Sequence, residues 1–324
     1  MLERIAGTGP LPEHLRDGVV AIGNFDGVHR GHQAVLETAL AEARQRNRPA
    51  LVLTFNPHPR KFFRPRSPLF VLTPPEMKAQ LLNNLGFSAV VEQAFTDDLS
   101  EKSAEAFITS ILRDNLGICH AVTGFNFHFG KDREGGPEFL TNAGRRHGFG
   151  VTLVDAFRDE AAHIISSSGI RQLLAQGHVA EAAGQLGYRF TVRETVINGQ
   201  KLGRTLGFPT ANMRLPESVE LREGVYAVRF RRADGSLHDG VASFGRRPTV
   251  DDNGAPLLET FVFDFSDSLY GEDCSVSFFS YLRGEEKFNG LDELVAQMRR
   301  DEQEARALLA GMRPLSALDA SVSF

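Results

Sequence analysis

The chain has 324 residues, which suggests two domains and a core large enough to need no disulfide. At 42% hydrophobic and 24% charged it has an ordinary globular composition, and no stretch approaches the ~20 apolar residues that a membrane helix needs. A formal net charge of -5 argues against a general nucleic-acid binder, and the distant Cys119 and Cys274 lack metal-ligand spacing and suit reduced thiols in the cytoplasm.

Residues 1–18 lack the basic start and apolar run of a signal peptide. Residues 19–22 form a short apolar, β-branched run, followed by a turn rich in glycine. Val35, Leu36, Ala39, Leu40 and Ala43 then fall on one helical face. Residues 51–55 read as a second buried strand, and 75–85 as a helix with proline in its first turn. Residues 89–91 are strand-like, and Ser100 is positioned to cap a helix running to Arg113. Two more apolar runs follow, at 118–123 and 151–154. This alternation predicts an α/β domain with a parallel sheet and helices on both faces.

The pattern changes after about residue 185. Short alternating runs at 225–230, 240–244, 258–265 and 276–282 replace the helical spacing, and Asp234-Gly235 signals a hairpin between the first two. These predict an antiparallel β-barrel or sandwich. Leu291, Leu294, Val295, Met298, Ala305, Leu308 and Leu309 then fall at helical spacing, predicting a terminal helix that covers one side of it. The expected domains are residues 1–184 and 185–324.

The first constellation of chemical interest is Gly23-Asn-Phe-Asp-Gly-Val-His-Arg-Gly-His32, placed between a strand and a helix. A helix start at the carboxyl end of a parallel strand offers free N–H groups and a positive dipole end to an anion. Gly23, Gly27 and Gly31 allow phosphate to approach the backbone, with Phe25 and Asp26 in the same turn. His29 and His32, three apart, are placed to face one pocket and stabilise charge on a leaving pyrophosphate. Ser167 or Ser168 is positioned to cap a later helix whose first turn carries Arg171, a second phosphate grip. Asn126 suits a base edge or ribose, and Phe127 an apolar wall. For His58, between two prolines, a site role and a turn role both stay open. The cluster Arg60, Lys61, Arg64 and Arg66 reads as a solvated loop.

Residues 23–32 resemble the H-x-G-H signature of the nucleotidyltransferase superfamily, whose fold is Rossmann-like, and in full form the motif of prokaryotic bifunctional FAD synthetases. Thr54-Phe-Asn-Pro-His-Pro59, Gly124-Phe-Asn-Phe-His-Phe-Gly130 with Arg133 and Gly135, and Ser166-Ser-Ser-Gly-Ile-Arg171 resemble that family's further motifs, in order. The resemblance implies that FMN and ATP meet in the first domain, with Phe55, Pro57, His58 and Phe127 near the flavin.

The second constellation is Gly199-Gln-Lys-Leu-Gly-Arg-Thr-Leu-Gly-Phe-Pro-Thr-Ala-Asn212. It is not a P-loop. Lys201, Gly203 and Arg204 lie in a loop suited to phosphates, and Thr210 and Asn212, two apart in an extended chain, point to one side and suit Mg²⁺. Alternation along 257–265 puts Glu259 on a face with Leu257, Phe261, Phe263 and Phe265; a carboxylate on an inward apolar face needs a partner or a task. The segment 199–212 closely resembles the riboflavin kinase signature. That resemblance implies Mg-ATP held by Thr210 and Asn212, Glu259 as the catalytic base, and Arg283 contacting flavin or nucleotide. The chain departs from the family at Glu194, where a glycine is frequent, at Ser243, where asparagine is frequent, and carries Gly169 at a variable position.

The expected substrates are riboflavin, FMN and ATP, with Mg²⁺ accompanying ATP and no tightly bound redox cofactor. No nucleic-acid or membrane partner is expected, and the oligomeric state is open. A cytidylyltransferase or pantetheine-phosphate adenylyltransferase shares H-x-G-H but leaves 203–212 unexplained; a non-catalytic flavin-binding module leaves His29, His32, Arg171, Thr210, Asn212 and Glu259 unexplained.

Overall fold

A computed structural model describes residues 2–158, 164–198, 208–246 and 256–324. They form two compact units, Met1–Ser167 and Ser168–Phe324.

The first unit is built on six parallel strands: β1 (Glu3–Ala6), β2 (Val19–Ile22), β3 (Ala50–Asn56), β4 (Ala89–Ala94), β5 (His120–Gly124) and β6 (Gly150–Val154). Their order is β1-β4-β3-β2-β5-β6. All four β2 residues are buried, which is why this strand is a continuous apolar run. From β2 the chain moves outward through β3 to β4, then returns to place β5 on the other side of β2. That reversal opens a crevice at the carboxyl ends of β2 and β5. Helix α1 (Arg30–Arg46) buries Val35, Leu36, Ala39, Leu40 and Ala43, the predicted face. Burying Val35, Leu36 and Leu40 stabilises this packing by about 1.5–3 kcal/mol each. A five-residue helix, α2 (Pro59–Phe63), and helix α3 (Pro75–Leu85) follow β3.

The structure adds one strand and corrects one local expectation. Strand β1 is present although three of its four residues are exposed, because an edge strand carries little apolar signal. The helix expected from Ser100 is broken. A single turn, α4 (Asp97–Ser100), is capped by Thr96, and the Ser100 hydroxyl donates back to Asp97 O. Ser103 caps the next turn, α5 (Ala104–Ala106), accepting from the Ala106 amide, and a π-helical stretch Phe107–Asn115 follows. The first unit's last helix is α6 (Pro137–His147).

In the second unit, helices α7 (Ser167–Ala175, all but its first residue) and α8 (Val179–Leu186) precede six antiparallel strands. The strands are β7 (Thr191–Thr195), β8 (Thr210–Arg214), β9 (Gly224–Arg231), β10 (Leu237–Arg246), β11 (Pro256–Val262) and β12 (Asp273–Arg283), in the order β7-β12-β9-β10-β11-β8. The Ile197 amide donates to Asn212 O, drawing the continuation of β7 against β8 and nearly closing a barrel. The β9–β10 turn is the predicted one, with Gly235 at φ 88° and Asp234 accepting from the Ser236 amide.

Tyr226, Val228, Phe230, Leu258 and Phe278 fill the interior. The helix Leu291–Ala310 covers the outer face, packing Ala305 and Leu309 against Ala227, Phe263 and Phe279. The helix Ala317–Ser323 is fastened by a buried ion pair between Arg189 and Asp319.

The face predicted for Glu259 is also corrected. Pro256, Leu258, Thr260 and Val262 are the buried residues of β11, while Leu257, Glu259 and Phe261 occupy the half-buried face. The strand stops at Val262 and Asp264 takes φ 54°, so alternation counted through residue 265 misassigns the inside.

Candidate functional site

In the first unit, three of the quoted motifs leave the carboxyl ends of adjacent strands. Residues 23–29 follow β2, 57–59 follow β3, and 125–130 follow β5. The loop 23–29 is fastened from several sides. Asp26 Oδ1 accepts from the amides of Leu72 (2.8 Å) and Thr73 (3.2 Å), and Thr73 Oγ1 accepts from the Gly27 amide (2.9 Å). Ser167 Oγ donates to Asp26 O (2.8 Å), so this serine, the first residue of α7, ties the loop rather than capping the helix. Gly27 has φ 89°, a conformation that favours glycine. Phe25 is buried and meets the His32 ring edge-on at 5.4 Å.

His29 is the N-cap of α1, and its Nδ1 accepts from the His32 amide at 3.3 Å. That bond leaves the proton of a neutral imidazole on Nε2. The two rings stack, with centroids 3.6 Å apart and planes 18° from parallel. Burial lowers the His29 pKa to about 4. His32 is held well below its ordinary value by burial, then by the charges of His29 and Lys78. Both rings are therefore neutral donors near pH 7. Gly31 permits the arrangement: a Cβ there would meet His29 ring atoms at 3.2 Å. Among the described residues, Asn24 Oδ1 and His32 Nδ1 are buried without a hydrogen-bond partner.

After β3, Pro57 is exposed and His58 caps α2, accepting from the Arg60 amide at 3.1 Å. Phe55 meets Phe95 edge-on at 6.0 Å, and Phe62 and Phe63 pack edge-on against the same Phe95. Phe63 remains 64% exposed, so this aromatic shelf opens to solvent. After β5, Asn126 is exposed and Phe127 stacks on the buried Phe129 at 5.5 Å. Arg171 is a buried residue of α7, in the second unit with Ser168.

In the second unit, Asn212 and Glu259 stand opposite each other in the β8–β11 ladder, and Ser243 stands opposite Glu259 in β10–β11. Opposite residues of an antiparallel pair share a face. Asn212 Nδ2 donates to Thr210 Oγ1 (3.3 Å) and Thr210 O (3.1 Å), so the hydroxyl and amide lie together, with the carboxylate of Glu259 on the neighbouring strand. Thr210 and Asn212 line a cavity of about 50 Å³, with Val262, Phe265, Asp267 and Tyr270. Val225 and then Arg283 continue the same cross-strand row. Arg283 is held in a two-pronged pair with Asp301 (2.9 and 2.7 Å) and donates to Gly284 O. Lys201, Gly203 and Arg204 lie outside the described residues. No group of three or more His, Cys, Asp or Glu that would hold a metal occurs among the described residues.

Family models align with each half of the chain: FAD synthetase with residues 11–168 and riboflavin kinase with residues 186–309. A bifunctional riboflavin kinase/FMN adenylyltransferase of Listeria monocytogenes is 41% identical over 294 residues, covering 90% of this chain and 92% of the relative. The chain belongs to the bifunctional riboflavin kinase/FMN adenylyltransferase family. An Escherichia coli member is 37% identical over 314 residues, covering 97% of this chain and all of the relative. A solved structure from Streptococcus pneumoniae, described as a macrolide-efflux protein, shares the architecture at TM-score 0.84 and 30% identity, covering 94% of this chain and 99% of that one. Among the described residues, no helix is long and apolar enough to cross a membrane.

Several residues beside these constellations lie outside the motifs. Lys78 donates from α3 to Asn24 O (2.6 Å) and Thr54 Oγ1 (3.1 Å), and burial lowers its pKa to about 8. Its sequence signal is a lysine three and four residues before the buried Leu81 and Leu82, hence on the apolar face. Phe62, Phe63 and Phe95 carry no signal beyond being aromatic. Asp267 and Tyr270 lie in a loop without periodicity.

Proposed function

We propose that the chain performs two ATP-dependent reactions in sequence, one in each domain, with residues 1–184 as the FMN adenylyltransferase domain and 185–324 as the riboflavin kinase domain. The observation that carries this reading is that one chain, related along nearly its whole length to bifunctional enzymes, combines the stacked His29–His32 pair with the opposed Asn212 and Glu259.

In the kinase domain, the riboflavin 5′-hydroxyl attacks the γ-phosphorus of ATP. The new O–P bond forms as the bond to the β,γ-bridging oxygen breaks, and ADP leaves. Glu259 accepts the hydroxyl proton. Mg²⁺ fits the pair Thr210 and Asn212: their neutral oxygen-bearing side chains lie together beside a carboxylate and suit a hard cation that takes its other ligands from phosphate and water. When bound, Mg²⁺ neutralises phosphate charge. Lys201, Gly203 and Arg204 contribute amides and cations to the same phosphates, and Arg283 borders the flavin or nucleotide while steadied by Asp301.

In the adenylyltransferase domain, an FMN phosphate oxygen attacks the α-phosphorus of a second ATP. One O–P bond forms, the bond to the α,β-bridging oxygen breaks, and pyrophosphate leaves. The nucleophile is already ionised, so the domain supplies position and charge stabilisation rather than a base. Neutral His29 and His32 donate N–H groups to the phosphates, and Arg171 neutralises them. Gly23, Phe25, Asp26, Gly27 and Gly31 shape the loop, with Ser167 and Ser168 supporting the phosphate grip. Asn126 orients the nucleotide. Phe55, Pro57, His58 and Phe127 border the flavin. We place the protein in the cytoplasm, where riboflavin and ATP meet.

Two variants of the full chain test the division of labour. His29→Ala is expected to accumulate FMN without FAD, and Glu259→Gln to convert supplied FMN to FAD while failing on riboflavin. A single variant that abolishes both reactions while remaining folded contradicts it.

A further inference from the structure

Lys78 is a cation that no motif assigns. Its ammonium bridges the loop after β2 to the end of β3, through Asn24 O and Thr54 Oγ1, and Thr54 Oγ1 itself donates to Asn24 O. Among the described residues no carboxylate lies within ion-pair reach of it. Its charged surroundings are few. Asp26, on the loop, and Glu92, on β4, act on it through space. Asp26 is engaged by the Leu72 and Thr73 amides, and Glu92 is gripped by Arg4 at 3.0 and 3.1 Å. On α1 it faces His32, stacked on His29, and both rings are neutral near pH 7.

A desolvated cation without a counter-ion is costly, and the cost is offset when an anion binds beside it. Asn24 Oδ1 and His32 Nδ1, polar atoms of the two residues that flank this ammonium, are also buried and unpartnered. The loop thus holds unmatched polar groups at the carboxyl end of β2, where the strand order reverses.

We propose that Lys78 is a further substrate-positioning residue of the adenylyl-transfer site, a fixed cation beneath the loop 23–29 whose counter-charge is the polyphosphate of ATP. This rests on the adenylyltransferase reading of the first domain. Lys78 acts through the Asn24 carbonyl and the loop, as well as through its charge.

The proposal has a pH signature that a purely structural lysine lacks. With its pKa lowered to about 8, Lys78 is charged before ATP arrives at pH 7. Above pH 8 the ammonium loses its proton in the free enzyme, and polyphosphate binding must restore it. Affinity for ATP then falls with rising pH, by about tenfold per pH unit for one proton taken up.

The test is the KM for ATP in FAD formation from supplied FMN between pH 7 and 9.5, for the full-length wild type, Lys78→Met and Lys78→Arg. Circular dichroism and the midpoint of thermal unfolding serve as the control for folding, and phosphorylation of riboflavin as the control for the second domain. The wild-type KM is expected to rise above pH 8. Lys78→Met is expected to start about tenfold higher at pH 7.5 and stay flat, as loss of a charge-assisted contact implies. Lys78→Arg, charged throughout, is expected to stay flat and low. A Lys78→Met enzyme with wild-type KM at pH 7.5, or a Lys78→Arg enzyme with the wild-type alkaline rise, overturns the proposal. If Lys78→Met does not fold, the wild type and Lys78→Arg decide. A wild type that makes FAD with a flat KM sinks the role of Lys78 alone; a wild type that makes no FAD sinks the adenylyltransferase reading beneath it.

Discussion

Asn212 and Glu259 face each other across the β8–β11 ladder, one residue pair in register, the amide buried and the carboxylate half-buried on one shared face. An amide beside the Thr210 hydroxyl and a carboxylate one strand away make a phosphate-side and a hydroxyl-side group at neighbouring positions. Glu259→Gln preserves shape and removes the proton acceptor. FMN formation is expected to fall about 10²–10⁴-fold, with FAD formation from supplied FMN unchanged. Quantifying the flavins after each reaction checks both halves of this statement.

At Gly31, shape alone bears on the proposed adenylyl-transfer site. A methyl group there would press on the His29 ring at 3.2 Å, and the ring is already stacked on His32. Gly31→Ala is expected to shift His29 and reduce FAD formation by about 10²-fold, as a displacement near 1 Å does elsewhere. The midpoint of thermal unfolding should move little, because alanine suits a helix.

His29 also makes stability depend on pH. Its folded pKa is lowered from 6.5 to about 4, so between those values the unfolded chain binds the proton first. The neutral ring contributes fully above pH 6.5, and the contribution is lost as pH falls toward 4. The maximum loss is about 3 kcal/mol. Denaturant titrations at pH 7 and pH 4.5 should show the fall, and His29→Gln should reduce the difference.

Asp301 carries the ion pair that fixes Arg283. Its side chain is 5% exposed, Arg283 grips both of its oxygens, and Gln297 donates to it as well. Asp301→Ala leaves a partly buried guanidinium unmatched and is expected to cost about 3 kcal/mol of the second domain's stability. Urea unfolding followed by circular dichroism, beside the double variant Asp301→Ala/Arg283→Met, separates the lost pair from lost packing. The double variant should recover part of the loss.

The buried strands β2–β5 are legible in the amino-acid sequence because parallel strands covered on both faces need unbroken apolar runs. The α1 face and the Asp234-Gly235 turn are legible for equally local reasons. What the sequence hides depends on distant parts of the chain. Alternation assigns Glu259 to the inner face because Phe261, Phe263 and Phe265 follow it. The outer face, however, is itself covered by the helix Leu291–Ala310, so phenylalanines pack on both sides. Ser100 yields its capping role to Ser103 because the chain bends between them, which single-residue preference does not encode. Lys78 carries no motif because its partners, Asn24 O and Thr54 Oγ1, are 54 and 24 residues away. Phe62 and Phe63 become an exposed shelf only when Phe95, from the end of β4, arrives beneath them.

The most direct test of the two-reaction account is a time course of purified full-length protein with riboflavin, ATP and Mg²⁺, the flavins separated and quantified. FMN should appear first and FAD follow, with ADP and pyrophosphate as co-products. FMN that never proceeds to FAD contradicts the role given to His29, His32 and the first domain, and FAD that forms only from supplied FMN contradicts the role given to Thr210, Asn212 and Glu259.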